Sequence, residues 1–199
     1  MIKKELSKDG RLELVRHSLA HLLAAAVMKK FPDAQLGIGP VIEDGFYYDF
    51  KLPRPLSSDD LKELENSMRH MARAHHTFKK KIIPAPVAKK LLKNQPFKQE
   101  LVAELNKTKK AISFYETGEL FTDLCAGPHV KNTDEIDADA FRLTKIAGAY
   151  WRGNSERDQL QRIYGIAFAN KKELEEYLKR LEEAQKRDHR VLGEKMGIF

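Results

Sequence analysis

The chain has 199 residues, of which 42% are hydrophobic and 33% are charged, a balance that indicates a soluble globular protein with a sizeable core. No apolar run approaches membrane-spanning length, and the first ten residues lack the apolar centre of a signal peptide. The single cysteine excludes an internal disulfide framework, so we expect a reducing cytoplasm. Basic residues exceed acidic ones by 36 to 29, and the net charge of +7 favours a polyanionic partner such as nucleic acid about as well as it favours ordinary solubility.

The first predicted element is an amphipathic helix from Arg11 to Phe31, which follows a short polar lead-in. Apolar residues recur there at helical spacing, and Pro32 ends the pattern. His17 and His21 lie within this helix, and residues four apart occupy the same helix face. Both imidazoles can therefore point into one pocket.

The rest of the chain alternates between short strands and helices. A strand from Phe46 to Phe50 contains Tyr48 and follows a turn at Asp44 and Gly45; taken alone, it can equally be an edge strand with its phenol groups in water. The other predicted elements are an extended piece at 35–38, a helix from Ser57 or Ser58 to about residue 74, a strand at 78–83, short helices at 87–92 and 96–105, a hairpin of strands at 111–115 and 119–124, strands at 141–147 and 161–169, and a helix from Asn170 to about residue 191. They predict an α+β fold in which a long helix packs on an antiparallel sheet.

A second pair of candidate site residues, Cys125 and His129, follows the predicted hairpin. Gly127 and Pro128 between them mark a turn, so the thiol and the imidazole must converge by loop geometry. Two histidines from a helix with one cysteine and one histidine from a loop form the ligand set of a tetrahedral zinc site. The same four groups could instead orient and activate a water without metal. Taken singly, each pair is more often part of an ordinary core; together they favour a site.

Five blocks of the sequence resemble, in chain order, the editing domain of bacterial threonyl-tRNA synthetase and the helix that leads toward its catalytic core. The blocks are HSLAHLL, IGPVIEDGFYYDF, LCAGPHV, KIAGAYWRGNSERDQLQRIYG and LKRLEEAQKRDHRVLGEKMGIF, and the resemblance spans about residues 12–199. Editing domains of alanyl-tRNA synthetase are more distantly similar, because their loop usually ends in Gly-Gly-Thr-His. The resemblance implies an editing domain over residues 1–169 and a connector helix over residues 170–199.

The resemblance also implies an activity. A pocket that selects threonine rejects serine weakly, because one missing methyl group is worth only about 1–3 kcal/mol. The family therefore hydrolyses mischarged seryl-tRNA(Thr) to serine and tRNA(Thr) at a second site, from which the extra methyl group excludes threonyl-tRNA. The residues that the resemblance implies for this site are His17, His21, Tyr48, Lys98, Asp123, Cys125 and His129.

We expect the two helix-borne histidines to orient the attacking water, and Asp123 to bind the seryl amino group with Tyr48 beside it. Lys98 would offer positive charge near the developing oxyanion or the tRNA terminus, although its sequence context fits a surface lysine nearly as well. Cys125 and His129 would complete the walls and position the terminal adenosine. Nothing beside Cys125 in the sequence favours a lowered thiol pKa, so we do not expect a nucleophile there.

The residues and the resemblance differ on metal. Spacing alone suggests zinc, and the alanyl relatives bind zinc, whereas the threonyl editing domain works without metal in this pocket. We therefore expect no cofactor, with zinc at the four His and Cys groups as the alternative. The implied partners are the acceptor end of tRNA(Thr) carrying serine and the rest of the synthetase, and no membrane. Competing hypotheses are a zinc-stabilised module that binds the acceptor stem, a trans-acting editing factor of the alanyl type, and a catalytically idle domain. A chain that stops just past a connector helix favours a piece of the synthetase.

Overall fold

The computed structural model describes residues 7–195, and the predicted α+β fold is confirmed there. The predicted lead-in before residue 7 and the last four residues of the predicted connector lie outside the described residues. The helices are α1 (Lys8–Lys30), α2 (Ser58–Ala72), α3 (Ala85–Leu91), α4 (Pro96–Lys107) and α5 (Lys171–Lys195). The strands are β1 (Gln35–Leu36), β2 (Val41–Ile42), β3 (Gly45–Lys51), β4 (Phe78–Ile82), β5 (Ser113–Thr117), β6 (Phe121–Leu124), β7 (Phe141–Tyr150) and β8 (Gln159–Ala167).

The first helix, α1, begins three residues earlier than predicted because Ser7 caps it. The Ser7 hydroxyl accepts a hydrogen bond from the backbone N–H of Gly10 at 3.2 Å, which satisfies one of the unpaired donors of the first turn. Every residue from 18 to 27 is buried, because α1 contacts α2, β3, β6 and β8. A helix that is covered on all sides holds its side chains in fixed directions, so α1 gives its two histidines a rigid support.

The larger sheet is antiparallel, with the order β1, β3, β8, β7, and β2 also pairs with β3. Because β3 is paired on both sides, the alternative that it is a water-exposed edge strand is wrong, and Tyr48 is only 1% exposed. β7 extends to Tyr150, three residues beyond the prediction, since it remains paired with β8 as far as Gln159. β8 itself begins and ends two residues earlier than predicted.

The smaller sheet is antiparallel, with the order β4, β5, β6. The predicted hairpin is present, but its first strand runs from Ser113 to Thr117 instead of 111–115, and its second begins at Phe121 instead of residue 119. As predicted, β6 ends at Leu124, immediately before Cys125. Since β6 also contacts α1, the hairpin brings Asp123 and the loop after it to the helix that carries His17 and His21.

Helix α4 attaches to the protein differently from α1. The main core cluster of buried residues draws on α1, α2 and both sheets, and none of its described members comes from α4. The C-terminal half of α4 packs through Val102 against Ala88 and Phe114. The N-terminal half packs through Phe97 against Trp151 and Leu160. Two small clusters therefore hold this helix.

The final helix, α5, begins where predicted, because Asn170 Oδ1 accepts a hydrogen bond from the Glu173 backbone N–H at 2.9 Å. The Phe168 ring lies 4.8 Å from that of Tyr177 and ties the helix to the end of β8. None of the described helices is long and apolar enough to cross a membrane. The division into a domain and a connector stays a prediction.

Candidate active site

The structure gathers all seven predicted site residues around one cavity of about 260 Å³. Six of them line it, namely His17, His21, Tyr48, Lys98, Asp123 and Cys125. The seventh, His129, packs against the two helix-borne imidazoles, with its ring centroid 4.1 Å from that of His17 and 4.2 Å from that of His21. Four separate parts of the chain supply these groups: α1, β3, α4 and the end of β6 with the following loop.

The four His and Cys groups form a compact cluster. One ligand atom from each of His17, His21, Cys125 and His129 lies within 4.8 Å of the others. The Cys125 Sγ atom is 3.3 Å from Nε2 of both His17 and His129. The Gly127 backbone N–H also donates to Sγ at 3.2 Å, which fixes the loop around the thiol.

Hydrogen bonds determine which ring nitrogens carry protons. Nδ1 of His17 lies 2.9 Å from the Pro128 carbonyl oxygen, which only accepts, so Nδ1 is the protonated nitrogen and Nε2 has a free lone pair. Ser18 Oγ donates its hydrogen to the Leu14 carbonyl at 2.8 Å. At 3.2 Å it must therefore accept from Nδ1 of His129, whose Nε2 also has a free lone pair.

Two imidazole lone pairs thus face one thiol. A thiol has a single hydrogen and can donate it to only one of the two Nε2 atoms at a time. The other nitrogen is then an available hydrogen-bond acceptor. The cluster can therefore accept a proton from a small molecule such as water without first losing a proton of its own.

The same cluster is uncharged near neutral pH. Burial lowers the pKa of His17 and of His129. The pKa of His21 lies well below its usual range because of burial first and the nearby His17 second. Burial raises the pKa of the Cys125 thiol to about 11, so the thiolate is scarce at pH 7. This agrees with the expectation that Cys125 is not a nucleophile.

A buried ion pair lines the same cavity as the imidazoles of His17 and His21. Lys98 Nζ is 2.8 Å from Asp123 Oδ2, and the lysine is only 2% exposed, so the alternative that Lys98 is a surface lysine is wrong. The hydroxyl of Tyr48 donates to the same oxygen at 2.5 Å. The second carboxylate oxygen, Oδ1, is buried and has no hydrogen-bond partner among residues 7–195. Such an acceptor is costly to leave unpaired, and it suits a cationic ligand group.

Two residues that shape the site were not predicted from the sequence. Ser18 is fully buried and, besides orienting His129, accepts from the backbone N–H of Val130 at 3.1 Å, which ties the loop to α1. Gly39 lines the cavity, and a Cβ atom there would lie 2.2 Å from Tyr48 Cδ2. Their positions inside the HSLAHLL and IGP stretches are the only sequence signals that pointed to them.

The donor set also fits a zinc ion. Zinc prefers four nitrogen and sulfur ligands in a tetrahedron, and a ligating imidazole usually donates its other N–H to a carbonyl or hydroxyl group. His17 and His129 have that second hydrogen bond, to Pro128 and Ser18, and the ligand atoms of the cluster are close together. His17, His21, Cys125 and His129 are therefore the residues that would hold such an ion.

Comparison with known proteins places this geometry in context. Residues 112–164 match the family described as the threonyl and alanyl tRNA synthetase second additional domain. Along nearly its whole length the chain is similar to threonine–tRNA ligases: it is 50% identical to that of Hahella chejuensis over 200 residues, which is 100% of this chain and 31% of the relative. It is also 50% identical to those of Dehalococcoides mccartyi over 188 residues (94% of this chain, 31% of the relative) and Legionella pneumophila over 193 residues (96% and 30%). The chain thus spans about a third of the length of the curated relatives it matches.

Proposed function

This chain is the counterpart of the editing region of bacterial threonine–tRNA ligases, and from that premise we propose that its pocket hydrolyses the ester bond of seryl-tRNA(Thr). The observation that carries the proposal is one cavity lined both by an imidazole with a free lone pair and by a buried carboxylate with an unpaired oxygen. A base for water and an acceptor for an ammonium group are what hydrolysis of an aminoacyl ester requires.

Asp123 binds the ammonium group of the seryl moiety. Its Oδ2 atom is already bonded to Lys98 and Tyr48, whereas Oδ1 is unpaired within the described residues. An ammonium group at Oδ1 would satisfy that oxygen with a charge-assisted hydrogen bond. This contact would fix the amino acid in the cavity with its carbonyl carbon toward the histidines.

His17, oriented by Pro128 and adjacent to His21, positions the attacking water. A water hydrogen bonds to an imidazole lone pair, and its oxygen attacks the ester carbon as the imidazole takes the proton. The bond from carbon to the ribose oxygen then breaks, and the proton passes to that oxygen. The products are serine and tRNA with a free hydroxyl group, so the atoms balance with one water consumed.

Lys98 stabilises the negative charge that develops on the carbonyl oxygen. An ammonium group has three N–H donors, and the hydrogen bond described for Lys98 uses one of them, to Asp123. A buried, preoriented cation acts strongly because water does not screen it. Cys125 remains a protonated thiol and forms part of the wall beside the terminal adenosine, while His129 packs against the two helix-borne imidazoles.

Selection against threonyl-tRNA follows from size. A second site needs only to exclude the larger, correct product. The cavity is small, about 260 Å³, and bulky side chains such as Tyr48 and Leu101 contribute to its walls. We propose that the methyl group of threonine is excluded on steric grounds.

The test is deacylation of seryl-tRNA(Thr) and threonyl-tRNA(Thr) by the chain, each with and without a chelator. We expect loss of serine alone, at a rate that the chelator does not change. His17→Ala should lower the hydrolysis rate by about 10²- to 10⁴-fold, whereas the control Lys89→Ala, an exposed site on α3, should leave it unchanged. Equal loss of serine and threonine, or no hydrolysis by the wild-type chain, would contradict the proposal.

A second candidate function is a zinc-stabilised module that binds the tRNA acceptor stem without hydrolysis, and the compact His and Cys cluster is the observation that favours it. A structural zinc ion supplies folding free energy, so its removal unfolds the domain. Stoichiometric zinc in the purified chain, together with chelator-induced unfolding and retained tRNA affinity, would favour this function over the first. A location in the cytoplasm and an association with the rest of the ligase remain predictions.

A further inference from the structure

The connection between β7 and β8 holds the helix that carries Lys98. This connection, which we call the hairpin tip, comprises residues 151–158 and includes the last three residues of the YWRG stretch that the sequence singled out. Trp151 is only 1% exposed, and its ring centroid lies 4.8 Å from that of Phe97 in the first turn of α4. Its indole Nε1 donates to Glu100 Oε2 at 3.0 Å.

Glu100 connects the tip to α4 through several charge-assisted bonds. Arg157 donates to both of its carboxylate oxygens, at 3.0 and 2.6 Å, and Arg152 Nε lies 3.1 Å from Oε1. Hydrogen bonds from Arg157 and Trp151 lower the pKa of Glu100 to about 2. Bidentate arginine pairs fix geometry as well as adding stability. The Glu100 carboxylate therefore restrains both the rotation of α4 about its axis and its position along that axis.

Lys98 lies between these anchors. Phe97 and Glu100 are three residues apart and share a helix face. Phe97 packs against Trp151 of the hairpin tip, and Glu100 accepts a hydrogen bond from it. Lys98 projects to a different side, into the cavity, where its ammonium group meets Asp123 and lies 5.3 Å from the centroid of the Tyr48 ring. A rotation of α4 would withdraw this buried charge from its partner.

Other contacts also hold α4, and two of them are glutamine side chains at its start. The Gln95 side chain accepts from the Leu36 N–H at 2.7 Å and donates to the Ala34 carbonyl at 2.9 Å, which fixes the start of the helix near β1. The Gln99 side chain donates to the Leu92 and Lys93 carbonyls at 2.9 and 3.1 Å, and Val102 packs against Ala88 and Phe114. Trp151 and Glu100 are the contacts through which the hairpin tip restrains the rotation of the helix.

We propose that Trp151 and Glu100 are positioning residues for Lys98, so that the hairpin tip determines whether its ammonium group reaches the scissile ester. This inference rests on the proposed function. It assigns a role to the YWRG stretch, none of whose residues lines the cavity of the candidate site.

The test compares Glu100→Ala, which removes the bonds to Trp151 and Arg157, with Glu104→Ala, which removes a bond to Arg152 one turn further along α4. Displacement of a reacting group by about 1 Å can cost a factor of about 100. We expect Glu100→Ala to lower kcat for seryl-tRNA(Thr) about 10- to 100-fold with KM little changed. Glu104→Ala should stay within about twofold, since exposed ion pairs contribute little.

A double-mutant cycle separates positioning from general damage to the fold. In a Lys98→Met background, Glu100→Ala should cause no further loss, because the group that it positions is gone. Equal losses in both backgrounds would overturn the inference, as would a kcat that Glu100→Ala leaves unchanged. Trp151→Phe, which keeps the ring and removes the N–H donor, should reproduce part of the effect of Glu100→Ala.

A readout that does not depend on activity keeps the two proposals distinguishable. The side-chain NMR resonances of Lys98 report its distance from Asp123 and the Tyr48 ring. They should shift in Glu100→Ala and not in Glu104→Ala. If the wild-type chain hydrolyses no seryl-tRNA(Thr), the proposed function fails, and the Lys98 resonances alone then decide the inference, with unmoved resonances overturning it.

Discussion

The histidines of α1 and the lysine of α4 face the same cavity, but the protein supports them in different ways. His21 is inside the main core, with Phe121 at 5.9 Å and Phe78 at 6.4 Å between ring centroids. Lys98 belongs to a helix outside that core and depends on one ion pair and on peripheral anchors. The half of the site that carries the proposed base is part of the main core, whereas the half that carries the proposed positive charge is attached at the edge of the core.

Because of this difference, substitutions can separate the loss of stability from the loss of activity. Close-packed core positions change little unless atoms are removed. A buried charge, by contrast, requires its partner, because an unpaired charge in the interior is strongly destabilising. Substitutions in the two halves should therefore produce different combinations of lost rate and lost stability.

The largest effect should come from His17→Ala, which removes the proposed water-orienting base. A positioned general base contributes about 10²- to 10⁴-fold, so we expect kcat for seryl-tRNA(Thr) to fall by that factor. Because His17 is only partly buried, the free energy of unfolding should change by no more than about 1 kcal/mol. Single-turnover deacylation and urea titration measure the two quantities. A large loss of stability with little change in rate would assign His17 to structure instead.

Lys98→Met should differ from His17→Ala in its effect on stability, because it should markedly lower the free energy of unfolding. It leaves the Asp123 carboxylate buried without its cation, which costs about 3–5 kcal/mol. Adding Asp123→Asn removes the unpaired charge and should restore much of the unfolding free energy but no activity. Urea unfolding of the wild type, of Lys98→Met and of the double variant tests this. If the double variant is less stable than Lys98→Met, the pair does not act as a charge pair.

Acid should destabilise the α1 half of the site. The pKa values of His21 and His129 are depressed in the folded state, so below about pH 6.5 the unfolded chain binds protons that the folded chain does not. The free energy of unfolding should then fall as pH decreases, by about 1.4 kcal/mol per pH unit for each imidazole that stays neutral. Urea titrations at pH 7, 6 and 5 measure the slope. His21→Gln should reduce it by about one proton, and an unchanged slope would contradict the assignment.

The smallest effect should come from Ser57→Ala, which lies at the start of α2 and away from the cavity. Ser57 and Asp60 form a capping box, and loss of such a cap costs about 1 kcal/mol. We expect a lower melting temperature and an unchanged deacylation rate at 25 °C. A fall in rate would show that general loss of stability reaches the site, and would weaken the comparison of its two halves.

Local patterns predicted the helices and most strands well, because helical spacing, turns and caps depend on residues that are close together in the sequence. The pairing of β3 on both sides could not be predicted, since it depends on β8 more than 100 residues later in the chain. The convergence of the two His and Cys pairs was predicted from spacing and turn residues. The burial of Lys98 was open, because QPFKQEL around it has no pattern that shows what lies against the helix. Only the fold reveals that Asp123 meets it.

The stacked imidazoles also limit how much charge the cavity can store. His129 lies about 4 Å from both other rings, and these neighbours add to burial in lowering its pKa. Once one ring is protonated, a second proton would face both burial and repulsion at that distance. The cluster therefore has room for a single proton at a time, so in the proposed reaction the imidazole must pass its proton to the ribose oxygen before it can accept another.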